Sequence, residues 1–273
     1  MDSYHIPVLL QTACNFLNIK KDEWYLDATL GGGGHTAEIL RRGGRVIGLD
    51  QDQDAIDYCS SQFSNQLATG QLIIVNSAFS HLDEVLKDRL ISGALFDLGV
   101  SMHQLKTADR GFSFQQNGPL DMRMNKELSQ TALSLISVLT PKQLNQIFLD
   151  FGEIQNGFHL AEKICAQKPT TTQDLVKLIS DPNLIRPLFQ SLRIAVNAEM
   201  FELETALPKA FKALKPDGRL VVISFHSLED RIVKNLNLGI SLTKSPIVPD
   251  VLEIQVNPAA KSAKLRAFAK TYA

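Results

Sequence analysis

Tyr25-Leu26-Asp27-Ala28-Thr29-Leu30-Gly31-Gly32-Gly33-Gly34-His35 is a short apolar run closed by an acid, four consecutive glycines, and then the start of a helix-compatible segment, Thr36 to Arg42. That order is the strand, glycine turn and helix start of a nucleotide-type site. Glycine tolerates positive φ and has no Cβ, so such a backbone turns sharply and lies against a ligand. A phosphate-binding loop would present lysine and backbone amides to an anion, whereas here Asp27 stands beside the turn. The combination suits a ligand with a positive centre and ribose hydroxyls, and S-adenosylmethionine has both. A tight solvent-facing turn would also use the glycines, so the reading depends on the neighbouring segments.

Arg45-Val46-Ile47-Gly48-Leu49-Asp50 reads as a buried parallel strand ending in a carboxylate. In doubly wound folds an acid at the end of the second strand accepts hydrogen bonds from a ribose, so Asp50 is the candidate ribose ligand. Leu72-Ile73-Ile74-Val75 predicts a third strand, followed by Asn76-Ser77-Ala78-Phe79, where a polar group and an aromatic ring can flank an adenine. Ala94-Leu95-Phe96-Asp97-Leu98-Gly99 predicts a fourth, again tipped by an acid. Ligands in such sheets bind beyond the carboxyl ends of the strands. Asp27, Asp50, Phe79 and Asp97 all fall there, and three acids in register describe a site.

The 273 residues suffice for one large domain or two modest ones. With 44% hydrophobic residues and a mean hydropathy of −0.03, the chain reads as soluble and globular. No apolar stretch approaches the ~20 residues that span a bilayer. Met1 to His5 show neither the basic nor the apolar region of a signal peptide, and a cytoplasmic location is expected. Cys14, Cys59 and Cys165 lie far apart without CxxC pairing, so reduced, packed thiols and no metal site are expected.

The net charge of −1 hides a division: residues 1–100 carry 7 Lys/Arg against 13 Asp/Glu, and residues 101–273 carry 21 against 16. After Glu253 the chain holds Lys261, Lys264, Arg266 and Lys270 with no further acid. A basic half permits a polyanionic substrate. The same cations on an edge strand can serve only to block edge pairing.

Strands and helices alternate from residue 24 to about 100, which predicts an α/β fold with a doubly wound, mostly parallel sheet. From Ser101 to Gln190 the apolar spacing is helical, as in Ala132, Leu133, Leu135, Ile136, Leu139 and in Leu144, Ile147, Phe148. Thr140-Pro141 and Thr172 to Asp174 look like helix starts. Alternation resumes with a helix from about Leu192 to Leu214, a strand Arg219 to Phe225, a helix from about Leu228 and a last strand within Ser262 to Thr271. The expected organisation is a discontinuous cofactor-binding domain, 1–101 and 191–273, interrupted by a helical insert, 102–190. Such an insert is expected over the ligand cleft, where it recognises the substrate; the alternative is a purely stabilising cap.

Within the insert, Asp109-Arg110-Gly111-Phe112-Ser113-Phe114 and Gly118-Pro119-Leu120-Asp121-Met122-Arg123-Met124 mix Arg, Asp, Gly, Pro and aromatics. Either the Asp/Arg pairs fix loop shape, or Arg110 and Arg123 meet phosphate while Phe112 or Phe114 stacks on a base. In Ser224-Phe225-His226-Ser227-Leu228-Glu229-Asp230-Arg231, Ser227 reads as a helix N-cap with Asp230 as its box partner. His226, at a strand's carboxyl end, is a candidate substrate contact, with a structural histidine as the alternative.

The strings His5 to Leu10, Gly31 to His35, Asp97 to Ser101, Arg110 to Phe114, Gly118 to Met124, Phe189 to Asn197 and Ser224 to Lys234 resemble the RsmH (MraW) family of bacterial 16S rRNA (cytosine-N4) methyltransferases, in the family's order along nearly the whole chain. The resemblance implies a class I methyltransferase fold with S-adenosylmethionine as cofactor. It also implies a cytidine of the decoding centre of the small ribosomal subunit as the target. By position, the implied cofactor contacts are Gly33, Gly34, His35, Asp50, Phe79, Asp97 and Gln104. The chain departs from the family pattern at Lys106, Asn125, Ile185-Arg186-Pro187-Leu188 and Ala259, and is short between Asn237 and Val256. Several of these changes remove or move a basic group, so they bear on RNA grip rather than on the reaction.

Methyl transfer to an exocyclic amine is an in-line displacement by a poor nucleophile, whose lone pair is delocalised into the ring. Orienting it is the main task, and Asp97 is the best-placed acceptor. Two other classes compete. A nicotinamide-dependent oxidoreductase would normally place glycine where Thr36 stands and leaves the insert unexplained. A methyltransferase-like module that binds ribosomal particles without catalysis would not need the intact glycine turn and Asp50. The sequence leaves open whether the chain acts alone or as a homodimer.

Overall fold

The computed structural model describes residues 6–271; Met1 to His5, which carry the leader reading and the first residue of the first family string, and Tyr272-Ala273 lie outside them. The apolar runs form a seven-stranded sheet: β1 Trp24–Asp27, β2 Arg45–Asp50, β3 Leu72–Asn76, β4 Ile91–Asp97, β5 Leu214–Ser224, β6 Ile240–Ser241 and β7 Lys264–Ala269. Their order is β3-β2-β1-β4-β5-β7-β6. β1 to β5 run parallel, whereas β7 is antiparallel to both β5 and β6.

Period-2 alternation sends Leu26, Ile47, Leu49, Ala94, Phe96, Leu220 and Val222 to one core, with Leu82, Leu203 and Leu207 from helices. It sends Tyr25, Val46, Leu95, Val221 and Ile223 to the other, with Leu9, Cys14, Leu17 and Ile39. Burial on both faces is why these strands read as continuous apolar runs. The register aligns the strand tips, with Asp27 opposite Gly48 and Leu95, Asp50 opposite Asn76, and Asp97 opposite Ile223.

Contacts divide the chain into a sheet unit, Met1–Gly99 with Met200–Ala273, and a helical unit, Val100–Glu199. The expected boundary at residue 191 falls inside a single helix, Ile185–Asn197, whose Leu188, Phe189, Leu192 and Val196 belong to the helical unit's core. The helix expected over Leu192 to Leu214 is two, Ile185–Asn197 and Glu199–Ala213, because Ala198 takes a left-handed conformation at φ 49°. Pro187 is tolerated at the third position of the first of these, where no intrahelical N–H is needed.

In the helical unit, Thr140 caps Pro141–Gly152 and Thr171 caps Thr172–Leu178, each by accepting from a backbone N–H. Leu135, Ile136, Leu144 and Phe148 meet in its core, as their spacing predicts, together with Leu175 and Leu178. Among the elements not legible in the sequence were helices Leu10–Leu17, Phe158–Gln167 and Val251–Val256 and the two-residue β6. Among the described residues no helix is long and apolar enough to cross a membrane.

Candidate active site

The glycine turn joins β1 to helix Gly34–Arg41, and Gly33 at φ 73° is the residue before that helix. A Cβ on Gly33 would stand 2.5 Å from the Phe63 ring, so the position excludes a side chain by space as well as by backbone angle. The turn is tied at both ends: Leu30 N donates to Leu49 O at 2.8 Å and Gly33 N to Leu30 O at 2.7 Å. Gly34 opens the helix against Pro7, and the Cys59 thiol donates to Gly31 O.

Asp27 is fully buried and faces inward, its Oδ2 accepting from Thr36 Oγ1 at 2.7 Å and its Oδ1 from Thr29 N at 3.3 Å. The expected ligand-facing role therefore gives way to a clamp that closes the strand, the turn and the first helical turn on one another. Thr29 extends the clamp, its Oγ1 accepting from Asp97 N at 2.7 Å. Thr29 and Thr36 carry no sequence signal beyond their closeness to the glycines.

Asp50 accepts from Gly31 N at 2.8 Å through Oδ2 and from Asp52 N at 2.9 Å through Oδ1. Each oxygen retains a lone pair, so Asp50 both shapes the turn and can accept from ribose hydroxyls. Asp97 lies at the tip of β4 with Oδ2 3.6 Å from His35 Nδ1, the two side chains 9% and 5% exposed. Its Oδ1 is buried with no hydrogen-bond partner among the described residues. Phe79, in the short turn after β3, packs edge-on against Phe96 at 5.6 Å. The sheet unit thus brings Gly33, Gly34, His35, Asp50, Phe79 and Asp97 to the carboxyl ends of β1 to β4.

Burial dominates the electrostatics. It pushes the carboxyls of Asp27 and Asp50 up to about 6. It holds Asp97 well above the ordinary carboxylate range, with further upward pressure from the charges of Asp27 and Glu229. Burial likewise lifts the Cys14 and Cys59 thiols to about 12, which makes them packing groups rather than nucleophiles.

At the end of β5 the helix Ser227–Lys234 is capped one residue earlier than expected. His226 is the N-cap, and the buried Glu229 is its box partner. Glu229 Oε2 accepts from Phe225 N at 2.7 Å and His226 N at 3.3 Å, and Oε1 lies 3.1 Å from His226 Nε2. Glutamate suits that box position, which aspartate at 230 does not. Histidine is an unusual cap, so the Ser-x-x-Asp spacing misled. Asp230 instead pairs with Arg266 at 2.7 Å and Lys264 at 3.3 Å, and Lys270 Nζ donates to Lys212 O and Leu214 O. Three of the four tail cations are thereby engaged within the sheet unit.

Gln104, Arg110 and Arg123 belong to the helical unit. Gln104 completes a capping box with Ser101, its Oε1 accepting from Ser101 N at 3.0 Å. Arg110 is 5% exposed and donates to the carbonyls of Arg123 and Met124 at 3.0 and 2.9 Å. Arg123 grips the Asp121 carboxylate through Nε and Nη2 and donates to Lys126 O and Leu128 O. Of the two readings weighed for these arginines, loop shaping is the one this geometry builds; their donors are turned onto the chain rather than outward to phosphate. Asn197 locks the same loop by accepting from Met124 N and donating to Met122 O. Gly118 packs so closely that a Cβ would stand 1.9 Å from Ala108 O.

The reversed β7 between β5 and β6 separates this sheet from the all-parallel dinucleotide-binding order, which removes the oxidoreductase reading. A glycine turn without side chains, a ribose-ready carboxylate and an orphaned buried carboxylate oxygen fit a cationic nucleoside ligand. Fold and site together define a class I S-adenosylmethionine-dependent methyltransferase. The chain belongs to the MraW methylase family, whose model matches residues 2–241.

Among similar proteins, one from Afipia carboxidovorans called ribosomal RNA small subunit methyltransferase H is 42% identical, over 98% of this chain and 91% of its own. Proteins of the same name from Carboxydothermus hydrogenoformans and Koribacter versatilis are 38% identical (99% of each chain) and 40% identical (97% of this chain and 94% of that one).

Proposed function

We propose that this protein transfers a methyl group from S-adenosylmethionine to the exocyclic N4 of a cytidine in the decoding centre of 16S rRNA, within the small ribosomal subunit and in the cytoplasm. Membership of the methylase family and the names of the relatives support rRNA of the small subunit as the substrate class. The N4 position follows the family resemblance. The observation that carries the chemistry is Asp97: a buried carboxylate at a strand tip with one oxygen lacking a partner.

When bound, S-adenosylmethionine supplies an electrophilic methyl on a sulfonium. Gly33 and Gly34, packed against Phe63 and Pro7, set the backbone turn that lies against the ligand, Asp50 accepts from its ribose, and Phe79 flanks its adenine. Asp97 Oδ1 accepts a hydrogen bond from the cytosine amine and turns nitrogen density toward the methyl. Holding two reactants in attack geometry can lower a barrier by ~7–11 kcal/mol. No separate base is assigned, and the amine's proton leaves to water after transfer. The helical unit supplies RNA recognition, and His226 is carried next to the β5 tip on the Glu229 cap.

Incubation with labelled S-adenosylmethionine and small subunits from cells lacking the activity, followed by nucleoside analysis, tests the proposal. N4-methylated cytidine in 16S rRNA is expected. Label in another nucleoside would overturn the target, and no label despite cofactor binding would favour a non-catalytic binding module.

A further inference from the structure

We propose that Glu202 and Lys209 are positioning residues for the cofactor, holding the adenine-side wall by gripping the backbone of Ser80 next to Phe79. The inference rests on the reading of Phe79 as a cofactor contact.

The chain leaves β3 at Asn76 and makes a three-residue turn, Phe79–His81, whose start has no side-chain cap. One end is tied by Ser77 N donating to Asp50 O at 2.9 Å. The turn runs into the five-residue helix Leu82–Leu86, and a single 3-10 turn makes few internal hydrogen bonds to hold an aromatic residue. The missing restraint comes from helix Glu199–Ala213. Ser80 N donates to Glu202 Oε2 at 2.7 Å, and Ser80 O accepts from Lys209 Nζ, which also lies 2.6 Å from Asp83 Oδ1. Both polar groups of one peptide residue are thus held by side chains more than a hundred residues away.

Glu202 and Lys209 fall at i and i+7, on a single stripe of that helix. Beside the stripe, Leu203, Ala206, Leu207 and Ala210 enter the core that contains Phe96. The Phe79 ring meets Phe96 edge-on at 5.6 Å. Its ring therefore rests on the helix-packed core, while its following peptide is clipped to the same helix. Sequence reasoning could not have found this pair, because nothing near residues 202 to 209 marks a contact with residue 80.

Calorimetric titration of the full chain with S-adenosylmethionine tests the clamp, using Glu202→Ala, Glu202→Gln, Lys209→Met, Phe79→Ala and the Phe79→Ala/Glu202→Ala double variant. Loss of one hydrogen bond in the grip should raise Kd about fivefold in Glu202→Ala and in Lys209→Met, with turnover at saturating cofactor unchanged. Glu202→Gln keeps an acceptor and should restore most of the affinity. In the Phe79→Ala background, Glu202→Ala should add nothing. Melting curves verify folding, and if Glu202→Ala fails to fold, Lys209→Met carries the test. Wild-type affinity in both helix variants beside a weakened Phe79→Ala overturns the clamp and keeps the Phe79 reading. An unaffected Phe79→Ala overturns both. A Glu202→Ala effect that persists without the ring overturns the proposed route.

Discussion

Asp97 and His35 face each other at the mouth of the glycine turn, Oδ2 3.6 Å from Nδ1, with the carboxylate's other oxygen buried and unpartnered. A buried carboxyl held well above its ordinary range keeps its proton more tightly than a free carboxyl until a cation arrives. A sulfonium favours the charged form, so its binding lowers the pKa of Asp97 and releases a proton. Affinity for S-adenosylmethionine should accordingly rise with pH through the titration of Asp97. The neutral thioether S-adenosylhomocysteine should show a weaker dependence. Titrations of both ligands across pH, in buffers of different ionisation enthalpy, measure the difference; equal slopes would remove Asp97 from contact with the sulfonium.

The Asp27 clamp predicts a loss of stability in Thr36→Val, which leaves Asp27 Oδ2 without its 2.7 Å partner. The cost of an unsatisfied buried acceptor is about 1–3 kcal/mol. Denaturant unfolding should show it, and Thr36→Ser should recover most of it. An unchanged midpoint in Thr36→Val would mean that the clamp holds nothing.

Asp27 also makes a signed prediction about pH. Its carboxyl stands at about 6 in the folded protein against the ordinary 3.8. Between those values the folded state keeps a proton that the unfolded state has lost. The stabilising contribution is therefore full below about 3.8 and is lost as pH rises toward 6. Compared with wild type, Asp27→Asn should lose less stability, or gain more, between pH 4 and pH 7. Parallel curves would contradict the burial argument.

At Gly33, alanine meets both a φ of 73° and a ring 2.5 Å from its Cβ. Strain of this kind costs about 1–3 kcal/mol. Gly33→Ala should melt earlier and bind the cofactor at least several-fold more weakly, whereas Gly70→Ala, also at positive φ but with open space around its Cβ, should leave binding alone. Equal cofactor affinity in the two variants would take the turn out of the site.

In the helical unit, Arg110 separates structure from RNA grip. A phosphate contact would contribute about one charge to the salt dependence of RNA binding. Arg110→Ala should lower the melting temperature, because the carbonyls of Arg123 and Met124 lose their donor, while the salt slope of RNA binding stays as in wild type. A shallower slope with unchanged melting would restore the phosphate reading.

Much of the sheet unit was legible because its signals are local. Apolar runs ending in Asp27, Asp50 and Asp97 mark strand tips, and only glycine fits the turn at Gly33. The roles within the site were less legible, because burial and partners decide them. Asp27 looks like Asp50 in sequence, yet Asp27 is fully buried against Thr29 and Thr36 whereas Asp50 stays half-buried and open to a ligand. The arginines of the insert left loop shaping and phosphate contact equally open by type, and their donors are turned onto the loop. The left-handed Ala198 that splits one expected helix into two carries no composition cue at all.

The central claim is that the Asp97 carboxylate orients the amine that accepts the methyl. Single-turnover methylation of small ribosomal subunits by Asp97→Ala, at saturating S-adenosylmethionine, tests it most directly. The predicted result is retained, though weaker, cofactor binding and a rate lower by ~10²–10³-fold, the usual cost of removing one preorganised hydrogen-bonding group at a reacting centre. Normal cofactor binding with an undiminished rate would contradict the account.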